Sequence, residues 1–173
     1  DVNRPGRAIR PAMRGEGSGS KCRFTHDLAQ VSESFAKNIG EGKSVAWPAG
    51  VGAKANAGVA SQVAQTNGGI GYVEFAYAKQ NDLNAVLMKN KAGKYVKPSI
   101  ESFKAAAGNA DWKKAPGMYL VLTNQPGAES WPITGASFIL MHTQVQDPAA
   151  AKRALTFFRW KSTRLNSRHQ LIS

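Results

Sequence analysis

The chain has 173 residues, of which 42% are hydrophobic and 20% charged, and these values are typical of one globular domain. Its formal charge of +12 suits a polyanion, a membrane surface or a small anionic ligand, and charge alone does not choose among them. The longest uncharged apolar run, around residues 138–141, is far shorter than the roughly 18 residues that a membrane span needs. The single cysteine, Cys22, excludes an internal disulfide and a multi-cysteine zinc site.

Apolar periodicity, turn residues and capping residues predict helices and strands that alternate along the chain. In chain order we expect a strand at 8–13, a helix through 31, a helix at 32–38, a strand at 44–47, a helix ending at 68, a strand at 70–73, a helix at 74–80, a hairpin at 83–96 and a helix at 99–107. Two apolar runs rich in β-forming residues follow at 118–123 and 133–142, and Asp147 caps a last helix that begins at Pro148. This alternation predicts an α/β fold.

A glycine-rich turn, GEGSGS at residues 15–20, stands between the first predicted strand and the first predicted helix. Glycines allow a close approach of the backbone, and the amino end of a helix presents unpaired N–H groups, so an oxyanion fits there. Arg14 adds a guanidinium, Ser18 and Ser20 add hydroxyls, and Glu16 is placed either to orient the arginine or to accept a proton from a ligand. The alternative is a flexible turn beside one solvated arginine, and the motif alone leaves both interpretations open.

The sequence pattern predicts neither a metal site nor an enzyme. The histidines at 26, 142 and 169 stand at no metal-ligand spacing, and no general base or nucleophile adjoins the glycine-rich turn. The four tryptophans adjoin element boundaries or apolar runs, which indicates packing between elements rather than base stacking.

Six short blocks carry a family resemblance: GEGSGS at 15–20, VAWP at 45–48, GVGAKAN at 50–56, GIGYVEFAYAKQN at 69–81, LTNQ at 122–125 and WPIT at 131–134. In this order they resemble the PstS-type phosphate-binding proteins of bacterial phosphate ABC transporters. The resemblance covers roughly residues 8–160, and the ordered set is far more specific than any single block. It implies an α/β fold of the periplasmic-binding-protein type, in which two lobes close on hydrogen phosphate.

The resemblance also implies a set of phosphate ligands in the second lobe. They are the guanidinium of Arg14, the hydroxyl and amide of Ser18, the amide of Gly19 and the hydroxyl of Ser20. Glu16 stands where an aspartate usually holds the arginine, and Ser20 stands where threonine is common.

Other positions depart from the usual family pattern. Small hydroxyl and aromatic residues are common where this chain has Lys21 and Cys22, and glycines are usual where it has Ala53 and Ala55. We expect these departures to affect affinity, and the extra cation at Lys21 to broaden the site toward other oxyanions.

The resemblance implies a particular organisation of the chain. Residues 1–130 would form the second, anion-binding lobe, and residues 131–160 a hinge strand and helix that return toward a first lobe that this chain lacks. Residues 161–173, KSTRLNSRHQLIS, abandon the apolar periodicity and resemble the translated read-through of a sequencing adapter. We therefore expect a non-native tail from Lys161 onward.

The implied function is capture of inorganic phosphate and its delivery to the permease subunits of an ABC transporter, without catalysis and without a cofactor. The resemblance implies a monomer that is periplasmic, or extracellular and lipid-anchored in a single-membrane bacterium, with no membrane span and no nucleic-acid partner. Such a fragment would carry half of the phosphate site. An alternative from another class is a small basic nucleic-acid-binding protein, suggested by the charge of +12 and by Arg4, Arg7 and Arg10.

Overall fold

The computed structural model describes residues 8–169; Arg4 and Arg7 of the basic amino-terminal segment lie outside that range. The strands are β1 Arg10–Arg14, β2 Val51–Ala53, β3 Gly69–Gly71, β4 Met88–Lys89 and β5 Tyr95–Val96. The helices are α1 Gly19–Val31, α2 Glu33–Asn38, α3 Ala55–Gln65, α4 Phe75–Gln80, α5 Ile100–Gly108 and α6 Pro148–His169. Strands and helices alternate, so the predicted α/β class is confirmed.

The central element is a parallel three-stranded sheet in the order β2-β1-β3. Ala12 of β1 stands opposite Val51 on one side and Gly71 on the other. Helix α3 joins β2 to β3 and packs against all three strands, and its Val59 and Ala60 are fully buried. The carboxyl ends of all strands of a parallel sheet lie at the same edge, so the segments after Arg14 and after Ala53 lie side by side.

Two glycines let those segments approach closely. Gly15 donates its N–H to the carbonyl of Ala53 at 3.0 Å. A Cβ added to Gly52 would lie 3.2 Å from the Cα of Gly15, which is tighter than ordinary contact. The glycine pattern of the sequence therefore has a structural reason here, because it brings the two loops at the carboxyl edge of the sheet together.

The predicted strand at residues 44–47 is wrong. The second strand begins at Val51, four residues after the end of the predicted one. Residues 45–47 are irregular and place Trp47 in an aromatic cluster with Phe24, Phe35 and Tyr72, at centroid distances of 6.2–6.4 Å from the tryptophan. Phe24 and Tyr72 stack at 4.4 Å. The segment thus contributes a side chain that packs α1 and α2 against the end of β3, rather than backbone bonds to the sheet.

The predicted hairpin and the helix after it are confirmed. Strands β4 and β5 pair in antiparallel fashion through Met88 with Val96 and Lys89 with Tyr95, and Ser99 caps α5 by accepting the Ser102 N–H at 3.2 Å. The apolar runs at 118–123 and 133–142 form a single antiparallel bridge, Thr123 with Ile133, instead of regular strands.

The chain divides into two compact units, Asp1–Ala136 and Ser137–Ser173. In the second unit the predicted cap is confirmed, because an oxygen of Asp147 accepts the N–H groups of Ala149 and Ala150 at 2.9 Å. Leu155 and Phe158 of α6 are exposed. The helix continues past residue 160 to His169, and the assignment of residues 161–173 as a non-native tail stays a prediction.

Within the described range, none of the helices combines the length and the apolar character needed to cross a membrane.

Candidate anion-binding site

The candidate site lies where β1 ends and α1 begins. Ser18 is the N-cap of α1: its hydroxyl oxygen accepts the Lys21 N–H at 3.0 Å. The first backbone bond of the helix runs from the Cys22 N–H to the Ser18 carbonyl, so the N–H groups of Gly19 and Ser20 precede the intrahelical bonding. Gly19 is exposed and Ser20 is half-buried, which leaves this amino end open to an anion.

Arg14 is held in a defined position beside that helix end. Its side chain is 13% exposed, and its Nε donates to Glu16 Oε1 at 2.6 Å while Nη2 pairs with the same carboxylate oxygen. On the other side Nη1 donates to the Asn56 side-chain oxygen at 3.3 Å. A guanidinium oriented from two sides loses little freedom on binding an oxyanion, so the arrangement favours anion capture.

Glu16 orients the arginine in this structure, which is one of the two roles that the sequence left open. Besides Arg14, its Oε1 accepts the backbone N–H of Ala55 at 3.1 Å. Hydrogen bonds from its own backbone N–H and from Arg14 lower the pKa of Glu16, so the carboxylate stays ionised and able to hold the cation.

The structure adds three residues that the sequence reasoning did not assign to the site. Asn56 is buried and accepts from both Arg14 and the Glu74 N–H, the latter at 3.4 Å. The hydroxyl of Tyr72 accepts the Arg14 backbone N–H at 3.3 Å. Ala55 supplies the N–H that fixes Glu16 and adopts a left-handed φ of +57°. Only the sheet order β2-β1-β3 brings these residues beside Arg14, and no local motif carries that signal.

The chemistry offered is that of an oxyanion cradle: one planar cation, two serine hydroxyls and two uncommitted amides. The Ser18 oxygen already accepts a backbone N–H, so its own proton is free to be donated to a ligand. Among residues 8–169, no group of three or more His, Cys, Asp or Glu side chains is placed to hold a metal ion.

Comparison with known proteins identifies the family of the chain. A family model described as "PBP superfamily domain" matches residues 2–162. The chain is 49% identical over 159 residues to the "Phosphate-binding protein PstS" of Pasteurella multocida, covering 92% of this chain and 46% of that protein. It is 48% identical over 160 residues to the protein of the same name from Haemophilus influenzae, covering 92% of this chain and 48% of the relative.

A more distant protein of that name, from Methanocaldococcus jannaschii, is 31% identical over 172 residues, covering 87% of this chain and 42% of the relative. The chain therefore spans less than half the length of these curated relatives. The alternative of a basic nucleic-acid-binding protein gains no support from the three relatives described.

Proposed function

The chain belongs to the PBP superfamily, and from that premise we propose that it binds inorganic phosphate at the carboxyl end of β1. The observation that carries the proposal is the Arg14 guanidinium, fixed by Glu16 and Asn56 beside the free amino end of α1. The names of the relatives support phosphate as the oxyanion. In the proposed role the chain supplies one lobe of a two-lobe receptor, because it spans less than half of those relatives.

Binding in this proposal is electrostatic and involves no covalent step. The guanidinium and the partial positive charge at the helix end meet the charge of the anion, and the Ser18 and Ser20 hydroxyls and the Gly19 amide complete its hydrogen bonds. A carboxylate contributed by the other lobe would accept the proton of hydrogen phosphate and repel fully ionised sulfate. With one lobe supplying its share of the ligands, we expect the isolated chain to bind phosphate weakly.

The proposed role in the whole receptor is delivery of phosphate to the permease subunits of an ABC transporter, by a monomer outside the cytoplasmic membrane and without catalysis. The domain limits at 130 and 160 and the ligand set of Arg14, Ser18, Gly19 and Ser20 belong to this proposal. The ligand set is supported by the position of β1, the glycine-rich turn and α1 in one continuous cradle.

A pair of matched substitutions tests the site. Ser18 caps α1 and Ser32 caps α2 in the same way, each accepting a backbone N–H three residues on, at 3.0 Å and 3.2 Å. Replacing either with alanine removes a cap and costs about 1 kcal/mol of folding stability. Only Ser18→Ala also removes a proposed ligand, so we expect it to weaken phosphate binding roughly tenfold while Ser32→Ala does not.

Isothermal titration calorimetry of the 173-residue chain with inorganic phosphate provides the measurement. Urea unfolding of the two variants provides the control, since both should lose similar stability. Equal phosphate affinity in Ser18→Ala and in the unsubstituted chain would contradict the proposed site.

A further inference from the structure

The irregular segment at residues 40–44, called here the clamp loop, leads from the end of α2 to the glycine-rich turn. Gly40 adopts a left-handed φ of +75°, and its N–H donates to the Phe35 carbonyl at 3.0 Å, which ends α2. Near the other end of the loop, the Lys43 carbonyl accepts the Ser18 N–H at 3.1 Å. The clamp loop is therefore bonded directly to the backbone of the serine that caps α1 in the proposed anion site.

The clamp loop is also attached to α1, through Thr25. This threonine is fully buried, and its hydroxyl oxygen accepts the Gly42 N–H at 3.1 Å. The hydroxyl lies within donating distance of the Lys21 carbonyl at 2.9 Å and of the Gly42 carbonyl at 3.3 Å, so it bridges the helix and the loop. Next to it, Nδ1 of His26 contacts a carboxylate oxygen of Glu41. That pair is exposed and contributes little, so the buried threonine is the main attachment.

The clamp loop packs closely against the glycine-rich turn. A Cβ added to Gly17 would lie 3.2 Å from Oγ of Ser44 and 3.6 Å from the carbonyl oxygen of Lys43. The first of these distances is tighter than ordinary contact, so this position needs a residue without a side chain. A displacement of the clamp loop is therefore passed on to the turn that carries Ser18.

We propose that Thr25 is a positioning residue of the anion site, an inference that rests on the phosphate-binding function proposed above. Through the clamp loop it fixes Ser18, which binds the anion by its hydroxyl while its amide stays bonded to Lys43. The Ser18 side-chain oxygen accepts the Lys21 N–H at 3.0 Å, and this leaves the hydroxyl proton for the ligand. A donor that is held in place before the anion arrives loses less freedom on binding, so the clamp loop raises the affinity.

Thr25→Val tests the inference, because it keeps the shape of the side chain and removes the acceptor of the Gly42 N–H. The amide of Ser18 should then exchange with solvent roughly tenfold faster, since the bond to Lys43 opens more often. Phosphate binding should weaken roughly threefold, which is less than the roughly tenfold loss expected on removing a direct hydrogen bond to the ligand. Thr25→Ser keeps the hydroxyl and should restore both values.

Thr134→Val is the matched control. Thr134 is 5% exposed, and its hydroxyl donates to the Trp131 carbonyl at 3.0 Å, so the substitution removes a comparable buried bond. It should lose similar stability in urea unfolding without a change in phosphate affinity. Calorimetric titration of the 173-residue chain and its variants with sodium phosphate gives the affinities. Hydrogen exchange followed by NMR, with and without phosphate, gives the protection of the Ser18 amide.

The outcomes distinguish this inference from the proposed function. Weaker phosphate binding and faster Ser18 exchange in Thr25→Val, both restored in Thr25→Ser, support it. Equal affinity in Thr25→Val and Thr134→Val, or a loss in Thr25→Ser as large as in Thr25→Val, overturns it and leaves the phosphate site standing.

The unsubstituted chain decides the matter if Thr25→Val does not fold. A Ser18 amide that stays protected with phosphate bound supports the inference, and one that loses its protection overturns it. Absence of phosphate binding by the unsubstituted chain overturns both the inference and the proposed function.

Discussion

Ala55 holds a backbone conformation that suits glycine. Its φ of +57° lies in the left-handed region, which costs a residue with a Cβ about 1–2 kcal/mol. Glycine removes that strain and adds a backbone entropy cost of about 0.5–1 kcal/mol. Ala55→Gly should therefore stabilise the chain by about 0.5–1 kcal/mol, a rise in unfolding temperature of about 1–4 °C for a chain of this length. The N–H that binds Glu16 is retained, so we expect phosphate binding to be unchanged.

Ala57, two residues further along α3, gives the matched control. It is exposed like Ala55 but is not among the positive-φ positions of the described chain, so Ala57→Gly should lose about 0.5–1 kcal/mol. Urea unfolding followed by circular dichroism measures both. Destabilisation by Ala55→Gly of the same size as by Ala57→Gly would show that Ala55 is not held in the left-handed region, and would refute the reasoning.

Two further predictions concern carboxylates. Glu16→Gln should weaken phosphate binding roughly threefold, as for loss of an exposed ion pair, because Arg14 loses the charge that holds it. In calorimetric titration, Glu16→Asp should bind phosphate with nearly the affinity of the unsubstituted chain. Glu33→Gln, which breaks the exposed ion pair with Lys37, should leave the phosphate affinity unchanged. Equal losses of phosphate affinity in Glu16→Gln and Glu33→Gln would contradict a positioning role for Glu16. Asp27 is 1% exposed, its Oδ1 has no hydrogen-bond partner among the described residues, and burial raises its pKa to about 6 against a smaller opposing effect of His26. Since the folded-state pKa lies above the usual 3.8, the protonated acid is favoured on folding, and stability falls as pH rises through about 6. Urea unfolding at pH 5 and 7.5 should therefore show Asp27→Asn gaining stability relative to the unsubstituted chain as pH rises, and a constant difference would contradict the assignment.

The sequence predicts those parts of the fold that depend on neighbours along the chain. Helices α1, α2 and α5 follow from apolar spacing and from the caps Ser32 and Ser99, and the turn before α1 follows from its glycines. The sequence pattern misplaces the second strand because Val45 and Trp47 favour a strand, whereas Val51–Ala53 contains Gly52, which lies in close contact with Gly15. That contact depends on sheet order, which no local pattern reports.

The same distinction holds for the candidate site. Arg14, Glu16 and Ser18 are close in sequence, so the glycine-rich turn was enough to group them. Asn56, in the first turn of α3, and Tyr72, directly after β3, reach Arg14 across 42 and 58 residues of chain. Their roles follow only from the parallel pairing of β2 and β3 with β1.

The most direct test of the central claim is an NMR titration of the 15N-labelled, 173-residue chain with inorganic phosphate. Binding at the proposed cradle predicts saturable shifts that are largest at the amides of Gly19 and Ser20 and at the Nε–H of Arg14, whereas the Ser18 N–H already donates to the Lys43 carbonyl at 3.1 Å. Shifts confined to exposed lysines elsewhere, or no saturable change at these three groups, would contradict a phosphate site at the junction of β1 and α1.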